Sequence, residues 1–254
     1  MDNNNDIIIT TKGITKKFGD FIAVNRVDFE IKKNETIGII GPNGAGKTTF
    51  LNLITGHFLP DEGHVFFNGK EITKFSTVKR VSLGIVRTFQ LVHVFDNLSV
   101  FNNLALAYYR RKKGKPLPLG IFFFTLNQPS MMEDVKQSIE MFELGDIEDE
   151  MVGNLPLGSK KRLELAMAFA EDPNVLLLDE PFSGLSDHEI DEVITVLKKY
   201  THNKTILIVE HKVSKLTDFA DKLAVMHEGS IISYGKCEET LNDPEVRRCY
   251  WKVT

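Results

Sequence analysis

The stretch TIGIIGPNGAGKTTF, residues 36–50, decides the architecture. Thr36 to Ile40 form a continuous apolar run, suited to a strand buried on both faces. GPNGAGKT, Gly41 to Thr48, matches the spacing G-x-x-x-x-G-K-[ST], and TTFLNLIT then reads as a helix stopped by Gly56. A glycine-rich loop between a buried strand and a helix start turns backbone amides inward, toward phosphate oxygens. In that context Lys47 reaches the β and γ phosphates and Thr48 offers its hydroxyl to Mg2+. Gly41, Pro42, Asn43, Gly44, Ala45, Gly46 and Thr49 complete the cradle, so the expected ligands are ATP and Mg2+.

Outward from the loop, the pattern changes twice. IIIT from Ile7 and VDFEI, with Val27, Phe29 and Ile31 alternating, predict strands, and VFFNGKEI predicts a hairpin about Asn68-Gly69. After Gln90 the period becomes helical: SVFNNLALAYYRR places Val100, Leu104 and Tyr108 on one face. SMMEDVKQSIEMFELG carries a Ser130 to Glu133 capping box and is expected to close at Gly145. From Leu163 helix and strand alternate through RLELAMAFA, VLLLDE, a second capping box from Ser186 to Glu189 heading EIDEVITVLKKY, TILIVEH, a helix over VSKLTDFA, and KLAVM. Such alternation predicts right-handed crossovers and a parallel sheet. The expected fold class is α/β, one domain over 1–254: a β subdomain and P-loop core at 7–90, a helical subdomain at 91–165, the remaining core at 166–235 and a C-terminal helix at 236–254.

Composition narrows the function classes. With 42% hydrophobic and 26% charged residues, 254 residues bury a core of their own. A net charge of -4 gives no general reason to bind nucleic acid, so none is expected as a partner. Two cysteines, Cys237 and Cys249, are too few for a disulfide framework or a metal cluster, and a reducing cytosol is the default. No stretch approaches the ~18 apolar residues that span a bilayer, and MDNNND lacks the features of a secretory signal, so a membrane connection is expected only through a partner.

VLLLDE, Val175 to Glu180, is the natural partner of the phosphate loop. Alone it reads equally as any buried strand ending in acidic loop residues; beside a P-loop, Asp179 fits the magnesium carboxylate and Glu180 a group that polarises an attacking water. Five features then stand in a fixed order: the P-loop, Gln90 after VRTF, the helix start at 155–159, LLLDE, and His211 ending TILIVEH. That order, over nearly the whole chain, resembles the ATP-binding cassette (ABC) family of P-loop NTPases, whose fold carries an antiparallel β subdomain and a helical subdomain. GIVRTFQ, KKFGDFIAVNRVDFEI and GPNGAGKTTFLNLITG resemble the ATPase subunits of branched-chain amino acid importers.

The resemblance implies that Phe18 stacks on adenine, a contact of ~1 to 3 kcal/mol in comparable base sites. It further implies that Gln90 links Mg2+ and the attacking water to a membrane partner, and that His211 touches the γ phosphate. Partners implied are a second ABC ATPase subunit and permease subunits, with the chain held peripherally at the cytoplasmic face of the cell membrane. In the family the P-loop of one subunit is closed by the signature segment of another, usually L-S-G-G-Q. Here Leu155, Pro156, Leu157, Gly158 and Ser159 occupy those positions, and Pro156 offers neither hydroxyl nor amide hydrogen. One charge-assisted contact of ~1.5 to 3 kcal/mol is lost, enough to slow closure or turnover ten- to a hundredfold unless something substitutes. Ser159 is one candidate substitute, and Lys160 is placed to pair with Glu164 at i,i+4.

RRKKGKPLPLGIFFF, residues 110–124, reads either as a contact near lipid headgroups or the membrane subunit, or as a solvated basic loop before helical core. The leading expectation is an ATP-hydrolysing, energy-coupling subunit of an importer. Two alternatives are a regulatory nucleotide-binding subunit with a degenerate signature, and a non-transport ABC protein acting on DNA or the ribosome; the latter usually carries coiled-coil insertions or two cassettes, neither seen here.

Overall fold

The computed structural model describes residues 6–88, 90, 92–113, 129–200 and 204–251. Of the basic and aromatic stretch 110–124, residues 114–124 lie outside the described residues, whereas Arg110 and Arg111 are described and meet Glu171 at 3.7 Å and Asp172 at 2.8 Å. The chain divides into two compact units: Met1–Arg87 with Asn174–Pro181 and Thr201–Thr254, and Thr88–Pro173 with Phe182–Tyr200.

The first unit holds two sheets. β1 (Ile7–Phe18), β2 (Phe21–Lys32), β4 (Glu62–Phe67) and β5 (Lys70–Glu71) form an antiparallel sheet in the order β2-β1-β4-β5. The Asn68-Gly69 hairpin forms as expected, with φ of 47° and 74°, the positive pair that a two-residue turn of matching twist requires. The second sheet runs β10-β9-β3-β8-β7-β6, from β3 (Thr36–Ile40), β6 (Ile85–Arg87), β7 (Val175–Asp179), β8 (Thr205–Val209), β9 (Lys222–His227) and β10 (Ser230–Lys236). The five strands from β9 to β6 pair in parallel, and every residue of β3, β7 and β8 is buried. Beyond KLAVM, Glu228 and Gly229, both at positive φ, turn the chain back and add β10 as an antiparallel edge.

α1 (Lys47–Thr55) packs Phe50, Leu51, Leu53 and Ile54 into the apolar cluster shared by both sheets, and Gly56 ends it at φ 78°. The short α2 (Thr77–Ser82) places Arg80 at 0% exposure, where Nη1 donates to the carbonyls of Leu53 and Ile54 at 2.7 and 2.6 Å, and Nη2 to Thr73 at 2.8 Å. An arginine thus satisfies two carbonyls in the last turn of α1 that the helix itself leaves open.

The second unit is helical: α3 (Val100–Lys113), α4 (Pro129–Met141), α5 (Leu157–Ala170) and α6 (Asp187–Tyr200). Val100 and Leu104 are fully buried on the expected face of α3. Two local expectations fail at α4. Pro129 opens the helix, so Ser130 sits within the first turn and does not cap it. The helix also ends before Gly145: Glu143 takes the left-handed position at φ 54°, its N–H bonding to Glu140 O (3.2 Å) while Leu144 N bonds to Ile139 O (2.9 Å). Full burial of Phe142 and Leu144 fixes this ending and outweighs the strain at Glu143. The second capping box is present: Glu189 N donates to Ser186 Oγ (3.4 Å), and Ser186 N donates back to Glu189 Oε2 (2.8 Å).

After the short α7 (Val213–Thr217) and β10, the expected C-terminal helix is interrupted. α8 (Cys237–Asn242) stops at Asp243, which precedes Pro244 and is pushed to an extended ψ of 127°; α9 (Pro244–Val246) and a π turn over Arg247–Trp251 follow.

Candidate nucleotide site

Three strand ends build the site. β8 lies between β3 and β7, and Asp179 is level with Val209, so the residues leaving β7 and β8 emerge beside the loop leaving β3. Carboxyl ends of parallel strands are where α/β sheets place ligands. A cavity of about 220 Å3 opens there, lined by Phe21, Ala23, residues 43–49, Glu180 and His211.

The loop's shape follows from its glycines. Gly46 precedes α1 at φ 100°, and a Cβ there would lie 2.2 Å from the Ala23 carbonyl oxygen, so no other residue fits. Gly229 N donates to Ala45 O at 3.0 Å, bracing the loop from the β9–β10 turn. α1 begins without a side-chain cap or an acidic residue in its first turn, leaving its end amides and positive dipole end for an anion.

Lys47 is 6% exposed, and its Nζ donates to Gly41 O (2.8 Å) and Pro42 O (3.1 Å). Burial lowers its pKa from the ordinary lysine value, opposed by the charges of Glu180 and Asp179. Thr48 Oγ1 donates to Asp179 Oδ1 at 3.4 Å, while Arg87 Nη2 reaches Asp179 Oδ2 at 2.6 Å. Among the described residues no group of three or more His, Cys, Asp or Glu gathers as a metal cluster. The adjacent oxygens of Thr48 and Asp179 fit a hard cation that takes its other ligands from phosphate and water, as Mg2+ does.

Glu180 occupies the left-handed region at φ 50°, a strained position for a non-glycine residue, with its N–H bonded to Val209 O at 2.9 Å. His211 Nε2 lies 3.1 Å from Glu180 Oε1. The carboxylate and imidazole therefore form one pair at the cavity wall.

Phe18 lies outside this lining: its ring meets Phe58 edge-on at a centroid distance of 5.5 Å. Its cross-strand neighbour at the hairpin tip, Phe21, is 61% exposed and lines the cavity instead. In the sequence Phe21 carries a comparable signal, an aromatic just past the Gly19-Asp20 turn, but the resemblance pointed to Phe18.

The remaining candidates belong to the second unit. Gln90 is exposed, and its carbonyl oxygen accepts from Lys161 Nζ at 3.0 Å. Pro156 is the N-cap of α5, with φ −63° and ψ 159° and no side chain able to accept from the first turn. Leu155 precedes it in extended backbone, Leu157 is 40% exposed, and Ser159 is 8% exposed. Lys160 pairs with Asp96 at 3.0 Å and not with Glu164; the buried Lys161 lies 3.7 Å from Glu164, whose other oxygen accepts from His93 N at 3.2 Å. A Cβ on Gly158 would come within 2.6 Å of Glu189 Oε1.

A phosphate loop, an acidic strand end and a following histidine on one parallel sheet define a P-loop ATPase cassette. The profile of the ABC transporter family matches residues 24–183, and the chain belongs to that family. It is 32% identical over 253 residues to the high-affinity branched-chain amino acid transport ATP-binding protein LivG of Salmonella typhi, covering 96% of this chain and 97% of that protein. It is 32% identical over 248 residues to the corresponding protein BraF of Pseudomonas aeruginosa, covering 96% and 97%. The crystal structure of a nucleotide-free ATP-binding cassette from an ABC transporter superposes with a TM-score of 0.82 at 32% identity, covering 96% of this chain and 98% of that one. This chain is therefore an ABC transporter ATPase.

Proposed function

We propose that this chain is the ATP-hydrolysing, energy-coupling subunit of an importer of branched-chain or other amino acids. It works paired with a second ABC ATPase subunit and is held at the cytoplasmic face of the membrane by permease subunits. The observation that carries the reading is the Glu180–His211 pair, 3.1 Å apart, in the wall of the P-loop cavity. The names of the relatives support the transported class.

In this scheme Lys47 exchanges the carbonyls of Gly41 and Pro42 for the β and γ phosphates. The loop amides from Asn43 to Thr49 and the start of α1 stabilise the charge that develops there. Glu180 orients and polarises a water, and His211 steadies that carboxylate and meets the γ phosphate. The base is assigned to the aromatic hairpin tip, with Phe21 joining Phe18 as a candidate stacking ring. Thr48 and Asp179 hold Mg2+, which when bound neutralises phosphate charge. Gln90 is assigned to coupling with the permease, and Leu155 to Ser159 to closing the partner's nucleotide site.

Glu180→Gln keeps the size of the side chain and removes its charge. With saturating ATP and Mg2+ it is expected to lose about 100-fold or more in hydrolysis and to elute as a dimer; a monomer under those conditions overturns the paired scheme. A second reading, a cassette slowed by its own signature, is favoured by the bare N-cap at Pro156. Pro156→Ser restores a hydroxyl at a position whose ψ of 159° already suits a cap, and is expected to raise ATPase activity about tenfold. Unchanged activity would remove that reading.

A further inference from the structure

We infer that Arg87 is a positioning residue for Mg2+, acting through Asp179. The inference rests on Asp179 being the magnesium carboxylate of the proposed site. Arg87 ends β6, and its side chain is 5% exposed against 4% for Asp179. Its two terminal nitrogens have separate partners: Nη2 donates to Asp179 Oδ2 at 2.6 Å, and Nη1 donates to Asn52 Oδ1, on α1, at 2.6 Å. One planar group therefore fixes the carboxylate at the end of β7 against the helix that begins at the phosphate loop. With Oδ2 held by the guanidinium, Oδ1 is the oxygen turned toward Thr48 Oγ1, the other candidate ligand.

Planarity is what makes the arrangement directional. A guanidinium offers its donors in a rigid fork, so anchoring one nitrogen on Asn52 sets the angle at which the other meets the carboxylate. A lysine would supply charge without that angle. Arg87 is thus the group behind the ligand, and such outer partners commonly govern metal affinity about 10- to 100-fold.

The test measures binding, not turnover. The Kd of a fluorescent ATP analogue, mant-ATP, is determined in excess Mg2+ and in EDTA for wild type, Arg87→Met, Arg87→Lys and Asn52→Ala, alongside thermal melting. The expected result is that Arg87→Met lowers the ratio of EDTA to Mg2+ Kd about tenfold while leaving the EDTA value close to wild type. Arg87→Lys is expected to recover part of the ratio, and Asn52→Ala, which leaves both charges in place, to lower it by a smaller factor. A purely structural role moves both Kd values together; an unchanged or raised ratio in Arg87→Met overturns the inference. Should that variant fail to fold, an unchanged ratio in Asn52→Ala overturns it equally. A wild type that binds mant-ATP with no advantage from Mg2+ sinks the magnesium assignment of Asp179 itself, which separates the two failures.

Discussion

Lys47 is a buried cation with two carbonyl partners. Its lowered pKa means that the folded chain holds the proton less tightly than the unfolded chain does, so the charge works against folding at pH values where lysine is protonated in both states. Two opposing changes accompany Lys47→Ala: relief of that cost, and loss of hydrogen bonds worth about 1.5 to 3 kcal/mol each to a charged group. The melting temperature is expected to move by only a few degrees while mant-ATP binding falls beyond detection. Retained binding would show that this lysine is not the phosphate ligand. Glu180 illustrates a different economy of position, because its strained φ of 50° aims a carboxylate along the cavity wall where an extended backbone would not.

Among the elements, α6 offers the clearest energetic test. Ser186→Ala removes a capping hydroxyl, a change of about 1 kcal/mol, or a fall in melting temperature of about 2–4 °C for a chain of this size. The Ser186 hydroxyl, followed by its amide, holds the Glu189 carboxyl below the ordinary glutamate value. A lowered carboxyl pKa stabilises the fold above the unfolded-state value, about 4.3, and that contribution is lost as pH falls through the folded-state value. The gap in melting temperature between wild type and Ser186→Ala should therefore narrow below about pH 4; a gap independent of pH would detach the box from the carboxylate. This box, the Asn68-Gly69 turn and the phosphate loop were legible in the sequence because each is written within a few consecutive residues. The end of α4 was not, since burial of Phe142 and Leu144 decided it in place of the nearby Gly145. Arg87 to Asp179 was invisible for a related reason: 92 residues separate the pair, and only the adjacency of β6 and β7 unites them.

At the scale of the whole molecule, no helix of the described residues is long and apolar enough to cross a membrane. Loss of this subunit from its source cells is expected to reduce uptake of labelled leucine; undiminished uptake would redirect the search to another cargo while leaving the ATPase assignment in place. Lys160 and Lys161 are engaged by Asp96, Glu164 and the Gln90 carbonyl within their own unit. The packing of Glu189 over Gly158 carries a last consequence, for heredity. A side chain added at position 158 pushes on one oxygen of the Glu189 carboxylate, whose other oxygen answers Ser186. Position 158 is therefore coupled to the distant pair 186 and 189: in a library of random variants, a tolerated change at 158 should be found travelling with changes at 186 and 189.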